Sequence, residues 1–136
     1  MKNPKEKKMI AIPLSSSEST TISDLYGNAS FFALLSPETG SFTVVENEGC
    51  GNGLDTAKCV SELGAKSTIF YHMGEGVFKQ LNKSGVKVFS SSKVFLTIED
   101  IYNDFLLNRS KQVTLTNYEA LLDPGTASCT CECQNN

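Results

Sequence analysis

Residues 48–89, EGCGNGLDTAKCVSELGAKSTIFYHMGEGVFKQLNKSGVKVF, decide the fold. Gly49-Cys-Gly-Asn-Gly53 reads as a loop. Leu54, Ala57, Val60 and Ser61 then share one helical face, widened by Cys59 and Leu63. Gly64 suits the left-handed position just past a helix. Ser67 to Tyr71 reads as a strand. His72-Met73-Gly74 leads into a second helix, Glu75 to Ser84, with Val77, Phe78 and Leu81 inward and Gly85 after it. Val86 to Phe89 is the next strand. Helix, glycine, apolar residue, lysine and strand thus follow one another twice, at Gly64-Ala65-Lys66 and at Gly85-Val86-Lys87. This is the rhythm of parallel βαβ units.

Upstream, Met9-Ile-Ala-Ile-Pro-Leu14 is a continuous apolar run and predicts a buried central strand, with Pro13 marking its end. Residues 1–8 form a charged lead-in. Ser15 to Asn28 is a polar loop of unusual length. Residues 30–36 and 41–46 read as two strands of a hairpin around Pro37-Glu-Thr-Gly40, whose proline and glycine are turn residues. Downstream, Thr97 and Asp100 have the spacing of a capping pair. Ile98, Ile101, Tyr102, Phe105 and Leu106 keep an amphipathic helical period. The expected domain spans residues 9–116. Residues 117–136 read as a flexible tail ending in Cys129-Thr-Cys-Glu-Cys133.

A chain of 136 residues is one domain by length, with enough material for a real core. The net charge of −3 disfavours nucleic acid as a partner, because phosphate binding needs a basic footprint. No run approaches the ~20 apolar residues of a membrane span, and the short apolar run after the basic start is not a secretory leader. A cytoplasmic location follows. Five cysteines without a leader point to free thiols, metal ligation or redox work rather than a disulfide framework.

Taken in order, several segments resemble the dinitrogenase iron–molybdenum cofactor biosynthesis, or accessory-factor, family between Met9 and about Val113. They are the opening Met-Ile-Ala-Ile-Pro, Ser23-Asp-Leu-Tyr-Gly-Asn-Ala-Ser-Phe-Phe32, Gly51-Asn-Gly53, Thr68 to Phe78, and Ser84-Gly-Val-Lys-Val88. Leu25 and Tyr26 stand where that family often carries a histidine. The cysteine tail lies outside the resemblance. It implies an α/β, ribonuclease-H-like three-layer fold with a mixed five-stranded sheet and flanking helices. It also implies an anionic metal–sulfur cofactor, of iron–molybdenum or iron–sulfur type, and partners among metal-cofactor assembly or acceptor proteins.

The chemistry agrees with that implication. Glycine lets backbone N–H groups approach a ligand, and a helix N-terminus carries roughly half a positive charge. Two such ends at one edge of a parallel sheet make an anion-binding crevice; glycines that merely turn the chain are the alternative. The candidate cofactor-binding residues are Gly49, Cys50, Gly51, Asn52 and Gly53 in one loop and His72, Met73, Gly74, Glu75 and Gly76 in the other. The candidate metal ligands are Cys50, His72, Cys129, Cys131 and Cys133. Cys50 sits beside a helix start, a setting that favours a thiolate. His72 is either a ligand, an anion partner or a structural side chain. Cys59 on a helix face reads as a small core residue.

Alternating residues of an extended chain lie about 7 Å apart on one face. That exceeds the ~4 Å between thiolates on one tetrahedral zinc, given Zn–S bonds of about 2.3 Å. The tail therefore suits a cluster or several soft ions better than one extended mononuclear site. Three cysteines leave a four-thiolate shell incomplete, so Cys50, an exogenous ligand or a second chain in a homodimer would finish it. Neither Met9–Leu14 nor Ser67–Tyr71 carries a carboxylate for two-metal phosphoryl chemistry, and no nucleophile-elbow pattern is present. The expectation is a binding protein with no catalytic residues. The alternative is a redox- or metal-responsive interaction protein acting through the tail.

Overall fold

The computed structural model describes residues 9–23, 26–91, 96–107, 110–118 and 122. Six strands form one mixed sheet: β1 (Ile10–Leu14), β2 (Phe31–Leu35), β3 (Phe42–Glu46), β4 (Ser67–Phe70), β5 (Lys87–Ser90) and β6 (Lys111–Val113). Their spatial order is β3-β2-β1-β4-β5-β6. The pairs β1–β4 and β4–β5 are parallel, and the other three are antiparallel. Three helices accompany the sheet: α1 (Gly53–Glu62), α2 (Glu75–Lys83) and α3 (Ile98–Leu106).

Strand alternation sorts the side chains into two cores. Ala11, Phe32, Phe70 and Val88 face α1 and α2, packing with Ala57, Val60, Phe78 and Leu81. Ile10, Ile12, Leu14, Ala33 and Ile69 face α3, packing with Ile98 and Ile101. The result is three layers with the sheet in the middle. β1 is buried along its whole length, as its unbroken apolar run requires.

Pro13 lies inside β1, opposite Phe32. Its carbonyl accepts from the Ser23 N–H at 2.7 Å, so its backbone points away from β2. Pairing with β4 extends only through Ala11, so the missing proline N–H falls where no ladder bond is needed. Gly64 and Gly85 both have φ +86, the left-handed conformation expected after α1 and α2. Thr97 and Asp100 form the expected capping box at α3.

Several expectations change. Pro13 does not end the first strand, which continues through Leu14 paired with Phe31. The sheet has six strands, not five, because Lys111–Val113 pairs antiparallel with β5. Leu54 does not face the core. It is 51% exposed, and the buried stripe of α1 is Thr56, Ala57 and Val60. Cys59 on the same helix is only partly buried. The long segment after β1 is well packed at its far end. Ile22 is buried and donates to Leu96 O at 2.9 Å, and Thr21 bridges to Thr97.

Candidate functional site

β3 runs in the same direction as β1, β4 and β5, because two antiparallel steps restore it. The loops after β3 and after β4 therefore leave the sheet at one edge, and α1 and α2 both begin there. The sequence places two glycine loops, and the topology brings them side by side.

The segment Tyr26–Gly27 stands between them. The Tyr26 N–H donates to His72 O at 3.4 Å, and the Gly51 N–H donates to Gly27 O at 2.9 Å. Tyr26 is 1% exposed, its ring edge-on to Phe32. Its hydroxyl lies 2.7 Å from Thr68 Oγ1, and Thr68 donates to Ala11 O at 2.8 Å. Tyr26 is therefore the donor to Thr68. Burial pushes its phenol pKa well up, more than the Thr68 bond lowers it, and the nearby Cys59 adds to the rise.

The first loop is held from beneath. Asn47 is buried and donates to Ala29 O at 2.7 Å and to Thr56 Oγ1 at 3.0 Å. Its Oδ1 accepts from the Gly49 N–H at 2.9 Å. Thr56 Oγ1 lies 3.0 Å from Gly49 O and 3.3 Å from Gly27 O, sharing its proton between them. A Cβ on residue 49 would collide with the backbone of Asp55 and Thr56, so only glycine fits. A Cβ on residue 53 would lie 2.5 Å from Val77 Cγ2, so glycine lets α1 start against α2.

The two helix starts differ. Asn52 caps α1, its side chain accepting from the Asp55 N–H at 3.0 Å. α2 begins after Gly74, which has no side chain to cap it. No described residue accepts from the N–H groups of Glu75, Gly76 or Val77. The Glu75 carboxylate turns away to Lys79, 2.7 Å distant, and accepts from Tyr118 Oη at 3.3 Å. The Lys79 ammonium holds the Glu75 carboxyl below its ordinary pKa through hydrogen bond and charge.

The remaining candidates fall as follows. Cys50 is exposed, its Sγ 3.6 Å from Asn28 O. His72 is partly buried with its ring tilted on Tyr71, centroids 4.5 Å apart. The Met73 side chain is buried in the core under α2. Cys129, Cys131 and Cys133 lie outside the described residues. Among the described residues, no group of three or more His, Cys, Asp or Glu could hold a metal ion. The donors at this edge are backbone N–H groups and an exposed thiol. That set fits the anionic outer atoms of a cluster better than a bare metal ion.

Sequence reading did not single out Asn47, Thr56 or Tyr118. The available signal was a polar residue, Thr56, next to Ala57 on the inward stripe of α1. Tyr118 follows β6, stacks on Phe78 with centroids 5.5 Å apart and has Lys79 over its ring. The chain after β6 thus returns to the start of α2.

No helix among the described residues is long and apolar enough to cross a membrane. A search of curated proteins gives no match. Among solved structures, the apo form of the orange protein from Desulfovibrio gigas superposes with a TM-score of 0.70 at 19% identity, over 79% of this chain and 94% of that one. A Thermotoga protein of the DUF35 family gives 0.64 at 25% identity, over 77% and 92%. The family model described as dinitrogenase iron-molybdenum cofactor matches residues 8–108. On that match, spanning both glycine loops and all three helices, the chain belongs to the dinitrogenase iron-molybdenum cofactor family.

Proposed function

We propose that this protein binds an anionic metal–sulfur cofactor, of iron–molybdenum or iron–sulfur type, and carries it during assembly or delivery to an acceptor protein. The observation that carries the reading is the start of α2, which has no side-chain cap among the described residues and is set beside the start of α1 at one sheet edge. Glu75, Gly76 and Val77 offer N–H donors, and the helix end adds partial positive charge. Cys50 supplies a thiol from the neighbouring loop. Family membership and the likeness to a protein described in its apo form support a cofactor-related role.

The tail belongs to the same reading. Tyr118 and Leu122 pack on the core beside α2. Cys129 lies seven positions beyond Leu122. A chain of that length spans at most about 25 Å. In this reading Cys129, Cys131 and Cys133 are auxiliary thiols that add to a site the glycine loops and Cys50 already form. His72 takes the role of a flanking side chain. The mixed sheet with helices on both faces supports a ribonuclease-H-like core to which β6 is added. The role is carriage without catalysis, in the cytoplasm, since β1 and β4 offer no carboxylate pair for metal-assisted hydrolysis.

Anaerobic reconstitution tests this, with iron and sulfide and separately with thiomolybdate. The full chain and a chain ending before Cys129 are compared by visible absorption and elemental analysis. Metal retained by the shortened chain supports the glycine-loop site. Metal lost with the tail favours the metal-responsive alternative. Metal bound by neither chain rejects both.

A further inference from the structure

The two edges of the sheet are built differently. β6 is three residues long, with Lys111 and Gln112 exposed. Short length and lysine are the usual protection of a sheet edge. β3 has neither. Its five residues, Phe42-Thr-Val-Val-Glu46, pair one-to-one with β2 without a bulge, and contain no lysine or proline.

The ladder fixes which backbone groups of β3 face outward. Ser36 N–H donates to Ser41 O at 2.8 Å, and Asn47 N–H donates to Ser30 O at 2.9 Å. Antiparallel pairs alternate, so residues 41, 43, 45 and 47 turn their N–H and C=O groups to β2. Phe42, Val44 and Glu46 turn theirs away. β3 ends the sheet, and no described residue outside it bonds to these groups. Val44 lies on the α3 face with the second core. Phe42, on the same face, is 43% exposed beside an open groove of ≈ 490 Å³ lined also by Gly40, Ile98, Glu99 and Tyr102.

We propose that β3 is a homodimer seam, pairing antiparallel with β3 of a second copy about a two-fold axis at Val44. The strand is symmetric in its free groups. Val44 meets Val44, and Phe42 of each copy meets Glu46 of the other. Three outward N–H groups and three outward C=O groups on each copy are then all satisfied. A two-residue slip leaves either both Phe42 or both Glu46 backbones unpaired. Phe42 stands diagonal to Val44 across the seam, a favourable aromatic–branched contact. The two Glu46 carboxylates lie at opposite ends of the seam, roughly four residues or 14 Å apart. That exceeds the Debye length of about 8 Å at physiological salt. The two glycine-loop edges also lie at opposite ends, so this dimer does not require a shared cluster.

The test uses the full chain with reductant and chelator, so that tail thiols and metal cannot join chains. Sedimentation across a concentration series should show mass rising from one chain toward two. Amide exchange should slow at Phe42, Val44 and Glu46 as concentration rises, while Thr43 and Val45 stay protected throughout. Val44→Pro removes an N–H that points away from β2, and Val44→Lys adds edge charge. Both should remain monomeric where the native chain dimerises, while Gln112→Lys on β6 should not change the mass. If Val44→Pro melts early, Val44→Lys and the exchange pattern carry the test. A single-chain mass at every concentration overturns the proposal. So does a dimer that Val44→Lys leaves intact, or slowing at those amides only when another protein is added.

Discussion

Tyr26 Oη and Thr68 Oγ1 lie 2.7 Å apart although the residues are 42 positions apart in the chain. The bond hangs the segment between the two glycine loops from a central strand of the sheet. Tyr26→Phe removes the donor and leaves the ring in place. A neutral intramolecular hydrogen bond is worth about 1 kcal/mol, so thermal denaturation should shift down by about 2–8 °C.

The same phenol sets an alkaline limit. Burial raises its folded-state pKa above the unfolded value of about 10. The folded state then holds its proton more tightly than the unfolded chain. This contribution to stability is complete below about pH 10 and is lost as pH rises further. Denaturation measured from neutral to strongly alkaline pH should show a steeper loss in the native protein than in Tyr26→Phe. Parallel curves would count against the burial of this group.

Gly53 and Val77 are a coupled pair. Gly53→Ala puts a methyl 2.5 Å from Val77 Cγ2 and should destabilise by about 1–3 kcal/mol. Val77→Ala in the same chain removes the obstacle. The double variant should lose less than the sum of the two single variants. Gly49→Ala meets backbone instead, so no side-chain change should rescue it. Urea denaturation of the set checks both statements.

Asn47→Ala takes three hydrogen bonds from beneath the first loop. Ala29 O and the Gly49 N–H are left without their partner. An orphaned buried polar group costs about 1–3 kcal/mol, so the midpoint of chemical denaturation should fall with little change in slope. Metal retention in the reconstitution should fall too, because the loop loses its support.

Lys79→Met should raise the Glu75 pKa toward its ordinary value, as followed by carboxyl NMR titration. The sign is set by Lys79, which favours the ionised carboxylate. Tyr118→Ala acts on the neighbouring contact. It should speed proteolytic cutting after Val113 while the core, read by circular dichroism, stays folded.

Local signals made most of the fold legible. Thr97 and Asp100 announced α3 because a cap is a contact within one turn. Gly64 and Gly85 announced two helix ends because left-handed backbone selects glycine. The apolar run of β1 announced a central strand because both its faces are covered. β6 was not legible. Only Val113 of its three residues is buried, and β5 supplies the rest of its definition. Leu54 misled because the apolar pattern of α1 admits more than one rotation. Thr56, bonded to Gly27 and Gly49, decides the rotation, and Leu54 is turned out.

The sequence by itself determined the element order, the two glycine loops and the residue types that can meet an anion. Those follow from propensities and spacings within a few residues. Tertiary structure alone decided that both loops share one edge, that Tyr26 stands between them and that α2 starts beside α1 with no side-chain cap among the described residues. It also decided that β3 ends the sheet, with no described residue bonded to its outward backbone groups. These are relations between residues tens of positions apart. Strand direction and register create them, and no local pattern in the chain encodes either.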